Sequence, residues 1–220
     1  MRYLTAYLCL TLLSSQVLAK DWDQLYGTEI TFDVYRNDHY VGSSVTKFER
    51  QQKGWLIKSV MNLKVPILFL LSYKYFYQSN EYWRNDLLQQ LDVEEDRNGE
   101  IKKINVRTNE ESSLLKGQTP LGKVEIKLPI LTSNHYNSDV INSDRLLNTL
   151  TGAENQYTLV FKGKEKIATN KGVIEANRYR YNGDLKDTEV WYSQSGHWVK
   201  LWFKGDDGSN IELRCVYCIK

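Results

Sequence analysis

Proline, glycine and net charge are all in short supply. The 220 residues include 3 prolines and 13 glycines, too few for a collagen-like or proline-rich chain. The 29 basic and 27 acidic side chains leave a net charge of +2. That lacks the strong positive field a dedicated nucleic-acid binder turns toward phosphate, so no nucleic acid is expected as a partner. Long apolar runs are missing after the first nineteen residues. The best candidate, Val65 to Leu71, is seven residues long and contains Pro66. A membrane-spanning helix needs roughly 20, so none is expected in the mature chain. G-x-S-x-G, H-E-x-x-H, P-loop, G-x-G-x-x-G and calcium-loop signatures are absent too, and no catalytic residue, metal site or cofactor is predicted from motifs.

What the chain does have is enough apolar content for a core, 41% hydrophobic residues, and a heavy aromatic load of 15 tyrosines and 6 tryptophans. Aromatics at this density suit strands and amphipathic surfaces more than helix bundles. The N-terminus has Arg2, an apolar stretch from Leu4 to Leu13, polar Ser14 to Gln16, then Val17-Leu18-Ala19. This is the layout of a secretory signal peptide, with small residues placed for cleavage before Lys20. Residues 1–19 are therefore expected to be removed, leaving 20–220 as a single β-rich domain exported to the periplasm of a Gram-negative envelope.

From Thr28 onward, segments rich in Tyr, Val, Ile, Leu, Phe and Thr alternate with polar turns such as Arg36-Asn37-Asp38, Arg84-Asn85-Asp86 and Arg97-Asn98-Gly99. Asn, Asp and Gly tolerate the positive φ of tight hairpins. The pattern predicts an all-β fold in which consecutive strands pair as an antiparallel meander. Strands are expected near 28–35, 40–50, 55–65, 72–83, 87–97, 100–110, 122–128, 156–167, 173–183, 185–193, 197–205 and 209–218. In 55–63, Trp55, Ile57, Ser59, Met61 and Leu63 share one face while Lys58, Asn62 and Lys64 take the other. In 198–204, Val199, Leu201 and Phe203 oppose Trp198, Lys200, Trp202 and Lys204. A sheet this wide tends to curl, because curling protects its edges; a barrel or half-barrel follows. Residues 129–155 break the meander and form an irregular, short-helical insertion that covers or plugs one end.

The side chains with chemistry are few. Of His39, His135 and His197, only His135 lies in the irregular segment, beside Ser133, Asn134, Asn137 and Asp139, where an imidazole is more commonly a loop anchor than a base. Cys215-Val216-Tyr217-Cys218 lacks the helix start of a redox motif and supplies half a zinc site. Along an extended strand the two cysteines lie about 10 Å apart, beyond the roughly 7 Å a disulfide spans. A bridge needs a curled tail, and unpaired or intermolecular thiols are the alternative. The stronger constellation is aromatic: Tyr73, Tyr75 and Tyr77 share a strand face with Trp83, and Trp191, Trp198 and Trp202 cluster further on. Such side chains offer an apolar body with a polar tip, which suits amphiphiles; they also serve as ordinary barrel core. Val65 to Leu71, which does not alternate, is either covered on both sides or an apolar lip.

Several blocks resemble a family of exported bacterial proteins catalogued as a domain of unknown function. They are Phe32 to Asn37, Glu81 to Leu87, Ser133 to Asn137, Asp144 to Gly152 and Glu189 to Leu201. The resemblance covers nearly all of the mature chain and implies a β-rich bacterial envelope protein. It carries no activity or catalytic residue. Tyr136 stands where the pattern has tryptophan, and the terminal C-x-x-C lies outside the pattern.

The leading expectation is a binding or carrier protein without enzymatic activity, whose curved sheet holds a lipid-like amphiphile. Tyr75, Tyr77, Trp191 and Trp202 would supply apolar contacts, and His135 and Asn137 would orient a polar headgroup. A cell-envelope hydrolase or transferase using His135, with Asp139 or Asp144 as its partner, is the second expectation. The third is a filled barrel that binds another envelope protein.

Overall fold

The structure, a computed structural model, describes residues 20–66, 72–109 and 113–220. The expected leader, 1–19, and residues 67–71 of the expected lip lie outside these. An outward run of strands comprises β1 (Glu29–Arg36), β2 (His39–Gln51), β3 (Gly54–Pro66), β4 (Ser72–Arg84), β5 (Leu87–Arg97), β6 (Glu100–Arg107), β7 (Leu114–Thr119) and β8 (Gly122–Lys127). A returning run comprises β9 (Leu131–Thr132), β10 (Arg145–Leu147), β11 (Glu154–Thr169), β12 (Gly172–Gly183), β13 (Thr188–Ser193), β14 (Trp198–Lys204) and β15 (Asn210–Tyr217). The hairpin turns carry the residues that suit them: Asn37, Asp38, Asn85, Asp86 and Asn98 all have positive φ.

All fifteen strands belong to one sheet. Its order runs from β8 down to β1, then from β15 down to β9, so the chain's first and last strands pair at its centre, with Val34 opposite Leu213. The two edges, β8 and β9, are joined by residues 128–130. Laid flat, the sheet would hold those edges roughly 65 Å apart at about 4.8 Å per spacing, whereas a link of that length spans about 15 Å. The connectivity alone therefore forces the sheet to curl until its edges approach. Curling stops short of closure, because β8 and β9 share no ladder. Instead the Arg145 guanidinium reaches across, donating to the carbonyls of Lys127 and, at 2.8 Å, Pro129.

The concave face holds the core. Val34, Leu213, Leu201 and Val190 sit opposite one another on successive strands and are almost fully buried. On β3 the alternation holds, with Trp55, Ile57 and Ser59 buried between half-buried outward residues. On β14 it fails at one place. Lys200 opposes Trp191 but Trp198 opposes Tyr192, so Val199 is an extra residue that re-aims the chain. Trp198, expected on the wetter face with Lys200 and Trp202, is turned inward instead, with its ring 4.2 Å from that of Phe32.

Four elements add to the expected set. β7 was not resolved in the sequence, and residues 129–155 contain β9 and β10 as well as a 3-10 turn, Ser138–Asn142. Asn137 caps that turn, accepting from Asp139 N at 3.1 Å. Near the start, α1 (Trp22–Tyr26) is capped by Asp21 and stopped by Gly27. It buries Trp22 and Tyr26 against Phe48 and Tyr136, with ring centroids 5.0 to 5.8 Å apart. At the other terminus a bulge between Thr31 and Phe32 lets Val216 drop out of register. The tail curls, Cys218 N and Ile219 N donate to Asn170 Oδ1, and Cys215 and Cys218 form a disulfide with Cα atoms 5.7 Å apart.

Candidate functional site

At one level of the interior lies a carboxyl that motif inspection overlooks. Glu81, on β4, is 1% exposed and accepts from four donors. Trp83 Nε1 reaches Oε2 at 2.9 Å, Tyr136 OH reaches Oε2 at 2.6 Å, Thr132 Oγ1 lies 3.0 Å from Oε2, and Asn134 Nδ2 bonds Oε1. Burial pushes its pKa up, opposed by these bonds. Thr132, Asn134 and Tyr136 alternate along the irregular segment, as Tyr77, Ser79, Glu81 and Trp83 alternate along β4. Asn134 completes the pairing by donating to Ser79 Oγ at 3.0 Å and accepting from Tyr77 OH at 2.9 Å. With every donor paired, the cluster is a clasp that fastens the segment across the concave face.

The two polar residues expected to orient a headgroup are in different surroundings. His135 is 8% exposed; its Nδ1 lies 3.2 Å from Tyr181 OH and its carbonyl accepts from Tyr192 OH at 2.8 Å. Burial lowers its pKa to about 4, so the ring is neutral at pH 7. Asp139, one expected partner of His135, is engaged by Lys20 Nζ at 2.8 Å instead. Asn137 accepts from the same ammonium at 2.6 Å, near the surface. It borders an open cleft of about 530 Å³ whose walls include Trp22, Arg50, Trp55, Trp83 and Asp86. Those three indoles are only 3%, 7% and 4% exposed, so they present little ring surface to it.

A different part of the interior is apolar and reaches water. Inward positions on β3 pass from buried Trp55, Ile57 and Ser59 to half-buried Met61, Leu63 and Val65. Their partners on β4 pass from buried Trp83, Glu81, Ser79 and Tyr77 to half-buried Tyr75 and Tyr73. Packing thus loosens along the concave face toward one end. At that end Tyr75 OH donates to Glu95 Oε1 at 3.0 Å, Arg97 Nε donates to the same oxygen at 2.9 Å, and Arg97 also pairs with Asp206 in the β14–β15 turn at 2.7 Å. Tyr75 and Tyr77 are therefore neighbours on one wall. Burial, with the Glu95 carboxylate close by, pushes the Tyr75 hydroxyl well above its ordinary range.

Trp191 and Trp202 are not on that wall. Trp191 pairs with Lys200, Lys200 with Arg214 and Arg214 with Asp33, whereas Trp202 pairs with Glu189 and Glu212. These positions alternate with the inward Val190, Leu201, Leu213 and Val34, so both indoles occupy the convex face. Trp191 is buried by charged neighbours. Lys200 Nζ sits 4.7 Å and the Arg178 guanidinium 5.3 Å from its ring centroid, and its Nε1 donates to Glu165 at 2.8 Å. Of the six expected ligand contacts, the structure brings Tyr75 and Tyr77 together, packs His135 against Tyr181 and Trp198, and separates Asn137, Trp191 and Trp202 from them.

A family model described as Domain of unknown function (DUF6134) matches residues 32–216. No curated protein matches the chain. Among solved structures, the chain is similar to a β-barrel-like protein of a domain of unknown function, DUF1849, from Brucella abortus. The two share 10% identity and a TM-score of 0.62 over 87% of this chain and 96% of that one. At that identity the likeness is one of fold.

Proposed function

We propose, for a chain that belongs to the family described as Domain of unknown function (DUF6134), an exported envelope protein that binds or carries an amphiphile without enzymatic chemistry. The binding place is the loosely packed end of the concave face, where Met61, Leu63, Val65 and Tyr75 meet the Glu95–Arg97 pair. The observation that carries this is the burial gradient along β3 and β4. Inward side chains of a barrel normally fill its interior, and here the apolar ones become accessible toward one end while polar groups gather beside them. Apolar lining with a few convergent polar atoms is the usual make-up of a site for an amphiphile. Export is supported by the leader pattern of residues 1–19, and lack of enzymatic chemistry by the pairing of Glu81 and the buried, neutral His135.

The test uses protein purified from the periplasm of its own host. N-terminal sequencing is expected to begin at Lys20, and native mass spectrometry to show an adduct that organic extraction releases and identifies as an amphiphile. Adduct-free protein that also fails to take up long-chain compounds in vitro would leave the filled, protein-binding barrel as the better account.

A further inference from the structure

We propose that Glu95 receives the headgroup of the bound amphiphile and that this headgroup is a hydrogen-bond donor, an ammonium or a hydroxyl. This rests on the binding place proposed above and specifies its ligand chemistry. Glu95 pairs across the sheet with Tyr77, and Tyr77 with Met61, so its side chain lies on the concave face, where it is 2% exposed. Its two oxygens differ. Oε1 accepts from Tyr75 and Arg97; Oε2 is buried with no hydrogen-bond partner among the described residues. Buried polar atoms are nearly always paired, and an unpaired carboxylate oxygen is the costliest kind to leave so. A donor delivered to Oε2 gains more there than it would in water, because the acceptor is already stripped of solvent.

The surrounding charge selects the same class. Arg97 is already shared between Glu95 and Asp206. Lys102, opposite Glu95 on β6, pairs with Glu100, itself opposite Arg97. Three carboxylates against two cations leave this rim with one surplus negative charge. An anionic headgroup would meet occupied cations and that surplus, whereas an ammonium or hydroxyl would meet a free acceptor. Met61, Leu63 and Tyr75, on the neighbouring inward positions, would flank the tail.

Isothermal titration of the purified protein with decylamine, decanol and decanoate, each below its micellar concentration, tests the assignment. Decylamine and decanol are expected to bind about tenfold or more tighter than decanoate, the factor that one charge-assisted hydrogen bond supplies. Which of the two binds tighter separates an ammonium from a hydroxyl ligand. Glu95→Gln still accepts from Tyr75 and Arg97 through its carbonyl but turns an NH2 toward the open position. It should lose the amine preference by about tenfold while decanoate gains. The unmodified protein's own headgroup series decides the matter even if that variant does not fold. Equal binding of all three, or tighter binding of decanoate, overturns the headgroup assignment and leaves the carrier proposal standing. Binding of none defeats the carrier proposal itself.

Discussion

Replacing Glu81 by alanine should loosen the whole irregular segment, although Glu81 touches no solvent. The substitution removes the acceptor of four donors: Trp83 Nε1, Tyr136 OH, Thr132 Oγ1 and Asn134 Nδ2. Asn134 keeps a second partner in Ser79, so three buried donors are orphaned, each at about 1–3 kcal/mol. Relief from burying a carboxyl whose pKa is raised by desolvation offsets part of this. A net loss of roughly 3–5 kcal/mol remains. For a domain of this size that corresponds to a fall in melting temperature of roughly 6–20 °C. Thermal denaturation followed by near-ultraviolet circular dichroism reads it directly, since Trp83 and Tyr136 are themselves partners. Limited proteolysis should then cut first between residues 130 and 145. A Glu81→Ala protein within about 1 kcal/mol of the parent, with that segment still protected, would show that the clasp contributes little and that the segment is held by its apolar contacts alone.

Other consequences can be checked separately. His135 binds its proton less tightly when folded, at about 4 against 6.5 in its free state, so the unfolded chain protonates first as pH falls. Stability contributed by the neutral ring is complete above about pH 6.5 and is lost down to about pH 4, by roughly 3 kcal/mol in all. Urea titrations across that range should show the slope, and His135→Gln should flatten it; an unchanged slope would mean that His135 titrates normally. The disulfide closes a loop between residues only three apart in sequence, and a loop this short supplies about 2 kcal/mol at most. Reduction should therefore lower the melting temperature by only a few degrees while freeing the tail from Asn170, seen as faster amide exchange at Cys218 and Ile219. Global unfolding on reduction would contradict this.

Much of the architecture was legible beforehand. The turns at Asn37-Asp38, Asn85-Asp86 and Asn98-Gly99 announce themselves because few residues accept positive φ, and the spacing of Trp55, Ile57 and Ser59 reports a half-buried strand. The candidate site was only partly so. The alternation that places Tyr73, Tyr75, Tyr77 and Trp83 on one face also places Glu81 there, and the same count from Leu91 and Val93 places Glu95 inward. Both carboxyls were available to that argument, which was applied only to the aromatic side chains. Trp191 and Trp202 mark the opposite failure. An indole reads as concave lining in a sequence, yet on the convex face the charged groups of Lys200 and Arg178 lie over the Trp191 ring, which is just as thoroughly buried.

The division between the two levels has a physical basis. Strand period, turn position and the all-β class follow from contacts within a few residues, so the amino-acid order determined them. Pairing of β1 with β15, the slip that turns Trp198 inward, the capture of Glu81 by a segment some fifty residues downstream, and the curl that bridges Cys215 to Cys218 depend on which distant strands lie side by side and in what register. One residue of offset exchanges the faces of a strand, and nothing local distinguishes the two outcomes. Only the curled sheet, with its edges drawn together by a three-residue link, selects between them.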